Sequence, residues 1–92
     1  MRFDIDYSEE KNEILKRTRN INFENIREAI ENDGLIAVIN HPNKKKYIHQ
    51  FLFAVKIDHY IFAVPCVWNN KKKIFFLKTV YPSRKLTNKY LK

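Results

Sequence analysis

Glycine occurs once in this chain, at Gly34, cysteine once, at Cys66, and acid nearly disappears after residue 40. Each scarcity removes a class of function. One glycine cannot build the glycine-rich loop whose backbone N–H groups cradle a nucleotide phosphate, and no Ser-centred nucleophile motif stands in for it. One cysteine forms no intrachain disulfide, which suits a reducing cytoplasm and leaves an intermolecular contact open. His41, His49, His59 and Cys66 fall into no metal-ligand spacing, so no metal or other cofactor is expected. Paired carboxylates for two-metal phosphoryl chemistry are missing from the basic half. No apolar run approaches the roughly 20 residues that span a bilayer. Met1 to Asp6 carries two acids where a secretory signal is basic and then apolar. The expectation is a soluble, cytoplasmic chain with no membrane partner.

What is present fits one domain, residues 1–92, since a chain this short buries only roughly 60 to 65% of its unfolded surface and cannot divide its core. A hydrophobic content of 45%, with seven Phe and five Tyr, is enough for that core without a disulfide or structural metal. The net charge of +8 is unevenly placed. Residues 1–40 hold six Lys and Arg against nine Asp and Glu, whereas residues 41–92 hold twelve against one, Asp58. Segregation of this kind directs one face towards an anion: nucleic acid, an acidic protein segment or an anionic membrane.

Period-2 alternation of Phe3 and Ile5 with Arg2, Asp4 and Asp6 predicts a first strand. Ser8 then caps a helix running to about Thr18, with Glu9 and Glu10 at its positive end. Asn22 opens a second helix, with Phe23, Ile26, Ala29 and Ile30 on one face and Gly34 as a left-handed stop. Strands follow over Leu35 to Asn40, Tyr47 to Ile57, Tyr60 to Trp68 and Ile74 to Tyr81. Asp58-His59 forms a hairpin turn, and Pro65 marks a bulge or an edge. Pro82 and Ser83 open a terminal helix, Ser83 to Lys92, whose Leu86 and Tyr90 dock on the sheet. The order β-α-α-β-β-β-β-α implies an α+β fold with a mainly antiparallel sheet. The two N-terminal helices cover one face, and the other face is left polar, basic and aromatic.

Two cationic features stand out. Lys11 lies four residues after Tyr7 and three and four before Ile14 and Leu15, on the expected inward stripe of the first helix. Arg84 and Lys85 fall in the first turn of the last helix, where the helix dipole disfavours cations. With Ser83 and free N–H groups they make a candidate phosphate cradle, to which Lys78 and Tyr81 are close in sequence. Among the histidines, His49 is the preferred proton carrier, held in a strand beside aromatics. Cleavage of a phosphodiester here is expected to use RNA's own 2′-OH, with Lys and Arg stabilising the pentacoordinate phosphate. Tyr47, Phe51, Tyr60, Trp68 and Tyr81 are interleaved with lysines as stacking candidates, Tyr81 first among them.

Several short motifs carry a resemblance. Phe3-x-x-Asp6, Glu10-Lys11-Asn12, the Lys16-Arg17 pair, Asn22-Phe23, the Lys78 to Lys85 segment and Tyr90, in this order of elements, together resemble BrnT-type toxins of bacterial toxin–antitoxin systems. These belong to the RelE-like superfamily of small basic ribonucleases. The resemblance implies an endoribonuclease that inhibits translation and is neutralised by a cognate antitoxin with a ribbon-helix-helix domain, through which operator DNA is reached. The ribosome is left as an open partner. It implies active-surface roles for Lys11, Arg84 and Tyr90, flanked by Ser83 and Lys85; His49, Lys78 and Tyr81 are added as catalytic candidates, and Lys16, Arg17, Ser83, Lys85 and Lys89 are the candidate RNA-binding residues. The chain departs from the family where Lys-His-Gly becomes Lys16-Arg17-Thr18, and where an acid of the last helix becomes Asn88 and Lys89. His49 is then the substitute for the missing histidine. Two other functions fit the same charge pattern: a non-catalytic RNA-binding module, and a basic dock for an acidic protein partner.

Overall fold

The structure, a computed structural model, describes residues 3–92; Arg2, placed above in the first strand, lies outside the described residues. The elements are β1 (Asp4–Tyr7), α1 (Glu9–Thr18), α2 (Phe23–Glu31), β2 (Leu35–Asn40), β3 (Gln50–Ile57), β4 (Tyr60–Asn69), β5 (Ile74–Leu77), β6 (Tyr81–Pro82) and α3 (Arg84–Leu91). This is the expected α+β order with the last strand divided in two. Among the described residues no helix is long and apolar enough to cross a membrane.

Both N-terminal helices start where their caps dictate. The Ser8 hydroxyl accepts the Lys11 N–H at 3.2 Å, and Asn22 and Asn25 form a reciprocal capping box. The inward stripe of α1 is rotated by one residue from expectation: Asn12 and Leu15 are buried, Ile14 is 39% exposed and Lys11 is half-buried. The cause is a polar bolt between the helices. Asn12 Oδ1 accepts the Phe23 N–H at 2.9 Å, and its Nδ2 donates to Glu24 at 3.1 Å, so the buried amide is satisfied at both ends. Lys16 reaches Glu24 at 2.7 Å; its ammonium, then the Asn12 amide, holds the Glu24 carboxyl below the usual range.

Gly34 does end α2, but not as a left-handed residue. That conformation belongs to Asp33, with φ 64°. Gly34 is required for space, because a Cβ there would sit 2.6 Å from the Ala29 carbonyl oxygen and 2.8 Å from that of Lys56. Those close approaches come with two 2.7 Å hydrogen bonds, Gly34 N–H to Ala29 O and Lys56 N–H to Gly34 O, which join helix end to sheet.

The sheet order is β1-β5-β4-β3-β2, with β6 also on β4. All pairings are antiparallel except β1 with β5. The chain thus starts at one edge, is carried by α1 and α2 to the far edge, and meanders back. Alternation along β3 and β4 divides the apolar residues. Phe53, Val55, Val64 and Cys66 join Leu15, Phe23 and Ile26 under α1 and α2. Ala54, Ile61 and Ala63 face the opposite way and join Leu86 of α3, with Tyr90 half-buried beside it. The second face is therefore not the open polar surface expected from sequence. Helix α3 lies on it, and the remainder has an apolar floor.

Pro65 decides where the last strand breaks. Cys66 opposes Leu77 and the Lys78 N–H donates to Pro65 O at 2.8 Å, so the reciprocal bond would need a Pro65 N–H that does not exist. Pairing resumes one residue out of step, with Ala63 opposite Tyr81, leaving Thr79 and Val80 opposite Val64 alone. Val80 turns into the α1/α2 core, and its carbonyl accepts the Arg19 guanidinium at 2.8 Å. Lys78 and Tyr81, three apart and on opposite faces of an unbroken strand, both line the α3 side.

Helix α3 is fastened to β4 by Thr87. Its buried hydroxyl accepts the Ile61 N–H at 2.9 Å and donates to Ser83 O at 2.8 Å, while the Ser83 N–H donates to Ile61 O at 2.9 Å. Thr87→Val preserves shape but leaves the Ile61 N–H unpaired. It should lower unfolding free energy by about 1–3 kcal/mol, measured as a shifted urea midpoint at unchanged slope.

Candidate nucleic-acid interface

Between α3 and the sheet runs a groove of ≈620 Å³. Ile39 of β2, Leu52 of β3 and Ala63, Pro65 and Val67 of β4 contribute its apolar lining, and Leu86 of α3 joins them. The polar lining comes from His41, Gln50, Lys78, Tyr81, Ser83, Lys85 and Lys89. Among the described residues no carboxylate lines it, so three lysines face one cleft with no internal counter-charge. Lys85 and Lys89 are four apart on α3 and so share its groove side.

The bulge supplies the rest of the cationic wall. Lys78 is exposed, its ammonium 5.5 Å from the Phe76 ring centre, and Tyr81 is 41% exposed. Other stacking candidates are occupied. Trp68 packs on Phe75 at 4.7 Å between ring centres, Phe51 on Phe75 at 5.7 Å and Tyr60 on Phe62 at 6.0 Å.

Ser83 is the N-cap of α3, and its hydroxyl oxygen accepts the Leu86 N–H at 3.1 Å. Its acceptor role is therefore structural, and the hydroxyl proton is what it can offer the groove. Arg84, expected to converge with Lys85, is exposed and does not line the groove. Successive helical residues differ by about 100° in direction, and the two point apart. Tyr90 packs against the sheet with Leu86 and Leu91 and also lies outside the lining.

His49 is not held in a strand, because β3 begins at Gln50 and residue 49 belongs to the preceding turn. It is exposed and lines a neighbouring depression with Asp6 and Trp68, and Lys78 is a wall shared by that depression and the groove. The histidine that lines the groove is His41. This half-buried residue follows β2 at the mouth of the groove, its ring centre 4.4 Å from that of Tyr47. The Asn43 N–H donates to His41 Nδ1 at 3.0 Å, which places the ring proton of the neutral form on Nε2. The His41-Pro42-Asn43 turn was the available signal in the sequence, since the side chain that opens a turn can accept the backbone N–H two residues on, as His41 does here.

Three N-terminal cations lie elsewhere. Leu15 places α1 in the core on the opposite sheet face, so the sheet stands between Lys11 and the groove. Lys16 is committed to Glu24 and, at 3.5 Å, to Glu13; Arg17 is exposed on the same helix. Cys66 borders the groove through its backbone only; its side chain is in the α1/α2 core on the other sheet face, where burial pushes the thiol up to about 12, so it offers the groove no thiolate.

A single-stranded oligonucleotide held here should bind with a salt slope that falls by about 0.7 for each of Lys78, Lys85 and Lys89 changed to alanine. Lys16→Ala and Arg17→Ala should leave that slope unchanged. Fluorescence anisotropy across a salt series measures both.

Comparison of the chain with known protein families, with curated proteins and with solved structures finds no match. The resemblance to BrnT-type toxins rests on the residues quoted for it.

Proposed function

We propose that this chain is a metal-independent endoribonuclease acting in the α3 groove, as the toxin of a toxin–antitoxin pair. The observation that carries the proposal is the convergence of Lys78, Lys85, Lys89, Tyr81 and His41 on one carboxylate-free cleft with an apolar floor. Lysines neutralise the phosphate, Tyr81 stacks on an unpaired base, and the floor accepts a base face. In the cleavage step the 2′-oxygen attacks phosphorus and the P–O5′ bond breaks. The 2′-hydroxyl proton passes to solvent, and the 5′-oxygen takes the Nε2 proton of the His41 imidazolium. The Nδ1 of that ring has taken a proton from solvent in place of the Asn43 N–H and keeps it, leaving a neutral ring. The products are a 2′,3′-cyclic phosphate and a 5′-hydroxyl. Lysines on the cleft wall stabilise the extra negative charge of the pentacoordinate phosphate. The antitoxin, its ribbon-helix-helix domain and operator DNA belong to this proposal through the resemblance, as does inhibition of translation.

One observation favours a second function, RNA binding without cleavage. Among the described residues no hydrogen bond links His41, Tyr81, Lys78, Lys85 or Lys89 to another side chain of the groove, so no acid–base pair is assembled in advance.

The two separate on a single assay. Purified protein with RNA in EDTA should yield cyclic-phosphate ends, and a 2′-deoxy residue at the cut position should abolish them. His41→Asn should slow cutting by about 10²–10⁴-fold while His49→Asn stays near wild type. Growth arrest on induction should follow the same order. Salt-sensitive binding with no product establishes the binding module instead, and equal loss from both histidine changes returns the proton-transfer role to an open question.

A further inference from the structure

The two edges of the sheet differ in how they meet solvent. At one edge, β1 is four residues long and carries the exposed carboxylates Asp4 and Asp6. At the other, β2 reads Leu-Ile-Ala-Val-Ile-Asn, with neither charge nor proline, and pairs only with β3. Charged side chains, prolines and bulges are what protect an edge from further pairing. The β2 edge has no charge or proline, and its one register shift lies between Leu35 and Ala37, which leaves Ala37 to Asn40 in regular register with β3.

The register shows which groups are free. The His41 N–H donates to Gln50 O at 3.2 Å, and Asn40 stands opposite Phe51, so Ala37, Ile39 and His41 spend their backbone bonds on β3. Val38 and Asn40 direct theirs outwards. Apolar side chains accompany them: Ile36 is 40% exposed, Val38 46% and Ile48, beside Asn40, 67%.

Charge selects the occupant. Glu28, Glu31 and Asp33 precede β2, and Lys44, Lys45 and Lys46 follow it, all exposed. The strand therefore has an acidic start and a basic end. An antiparallel copy of the same strand, related by a two-fold axis at Val38, pairs the outward groups of the two Val38 residues and brings each lysine triplet towards the other copy's acids. A chain with a net charge of +8 otherwise repels its copy, so the segregated ends are what permit approach.

We propose that β2 is a self-association edge, pairing with β2 of a second copy to form one continuous sheet across two chains. The seam lies on the opposite side of β3 from Lys78 and Tyr81 and leaves α3 uncovered. Being one short strand wide, it supports a weak dimer, of about micromolar dissociation constant or weaker.

Sedimentation equilibrium of the full chain from micromolar to millimolar concentration tests this. Expected is a monomer–dimer equilibrium that weakens with salt. Val38→Lys, which puts two like charges at the two-fold axis, should weaken it by about tenfold or more. Val38→Pro removes the outward N–H without touching the β3 ladder and should do the same, with circular dichroism confirming the fold. Glu31→Lys and Lys45→Glu should each weaken the dimer about two- to fivefold, and together restore it. A chain that stays monomeric throughout, or a dimer indifferent to both Val38 changes, overturns the proposal; the monomer result would leave the edge to a strand from another protein.

Discussion

Pro65 has no N–H, and in β4 that missing donor would have faced the carbonyl of Lys78. The ladder cannot close there, and the strand slips by one residue. Val80 is turned into one core and Tyr81 onto the other face. The slip carries a second requirement, a partner for the displaced carbonyl of Val80, and Arg19 meets it from the end of α1. A basic residue of the acidic half thus holds the basic half in shape. It does not line the groove, yet the relative placement of Lys78 and Tyr81 depends on the backbone it holds.

The same bulge sets where α3 begins. Pairing resumes at Tyr81 and ends with the Ser83 N–H on Ile61 O, and Ser83 then caps the helix. Thr87, one turn later, takes the Ile61 N–H and prolongs the ladder by one side-chain bond. Lys85 and Lys89 are aimed at the cleft because Leu86 and Thr87 must face the sheet. The cations of the groove are thereby placed by residues that are themselves uncharged. Removing a charge and removing its support are separate perturbations.

Much of the architecture was legible because it depends on local chemistry. Ser8 and Asn22 mark helix starts, Asp58-His59 a two-residue hairpin, and Leu86 with Tyr90 the buried side of α3, all from hydrogen-bonding groups or spacing within a few positions. What was not legible depends on distant partners. Lys11 and Asn12 are adjacent, and only the position of the Phe23 N–H decides that Asn12 is the buried one. Gly34 reads as a left-handed stop until the carbonyls of Ala29 and Lys56 are seen to crowd it. His49 continues the alternation of β3 on paper, and its carbonyl accepts the Trp68 N–H at 2.8 Å, but the strand itself begins at Gln50 and the histidine closes the preceding turn. Charge segregation did point to the α3 side. It could not separate Lys85 from Arg84, since that distinction is one of helix phase.

Charge by itself is also a poor guide to which lysines bind. The triplets at 44–46 and 71–73 hold a third of the chain's 18 Lys and Arg, yet both sit in turns away from the α3 helix. A turn lysine moves with its loop and loses side-chain entropy when it settles on a phosphate. Lys85 and Lys89 leave a helix fixed on its other side, and Lys78 leaves a bulge pinned by Arg19. Their backbones are already ordered, so less freedom is lost on contact. On the proposed function, the loop lysines would raise the local concentration of a polyanion over distances of about a Debye length. The three on ordered backbone would then decide where along the surface it comes to rest.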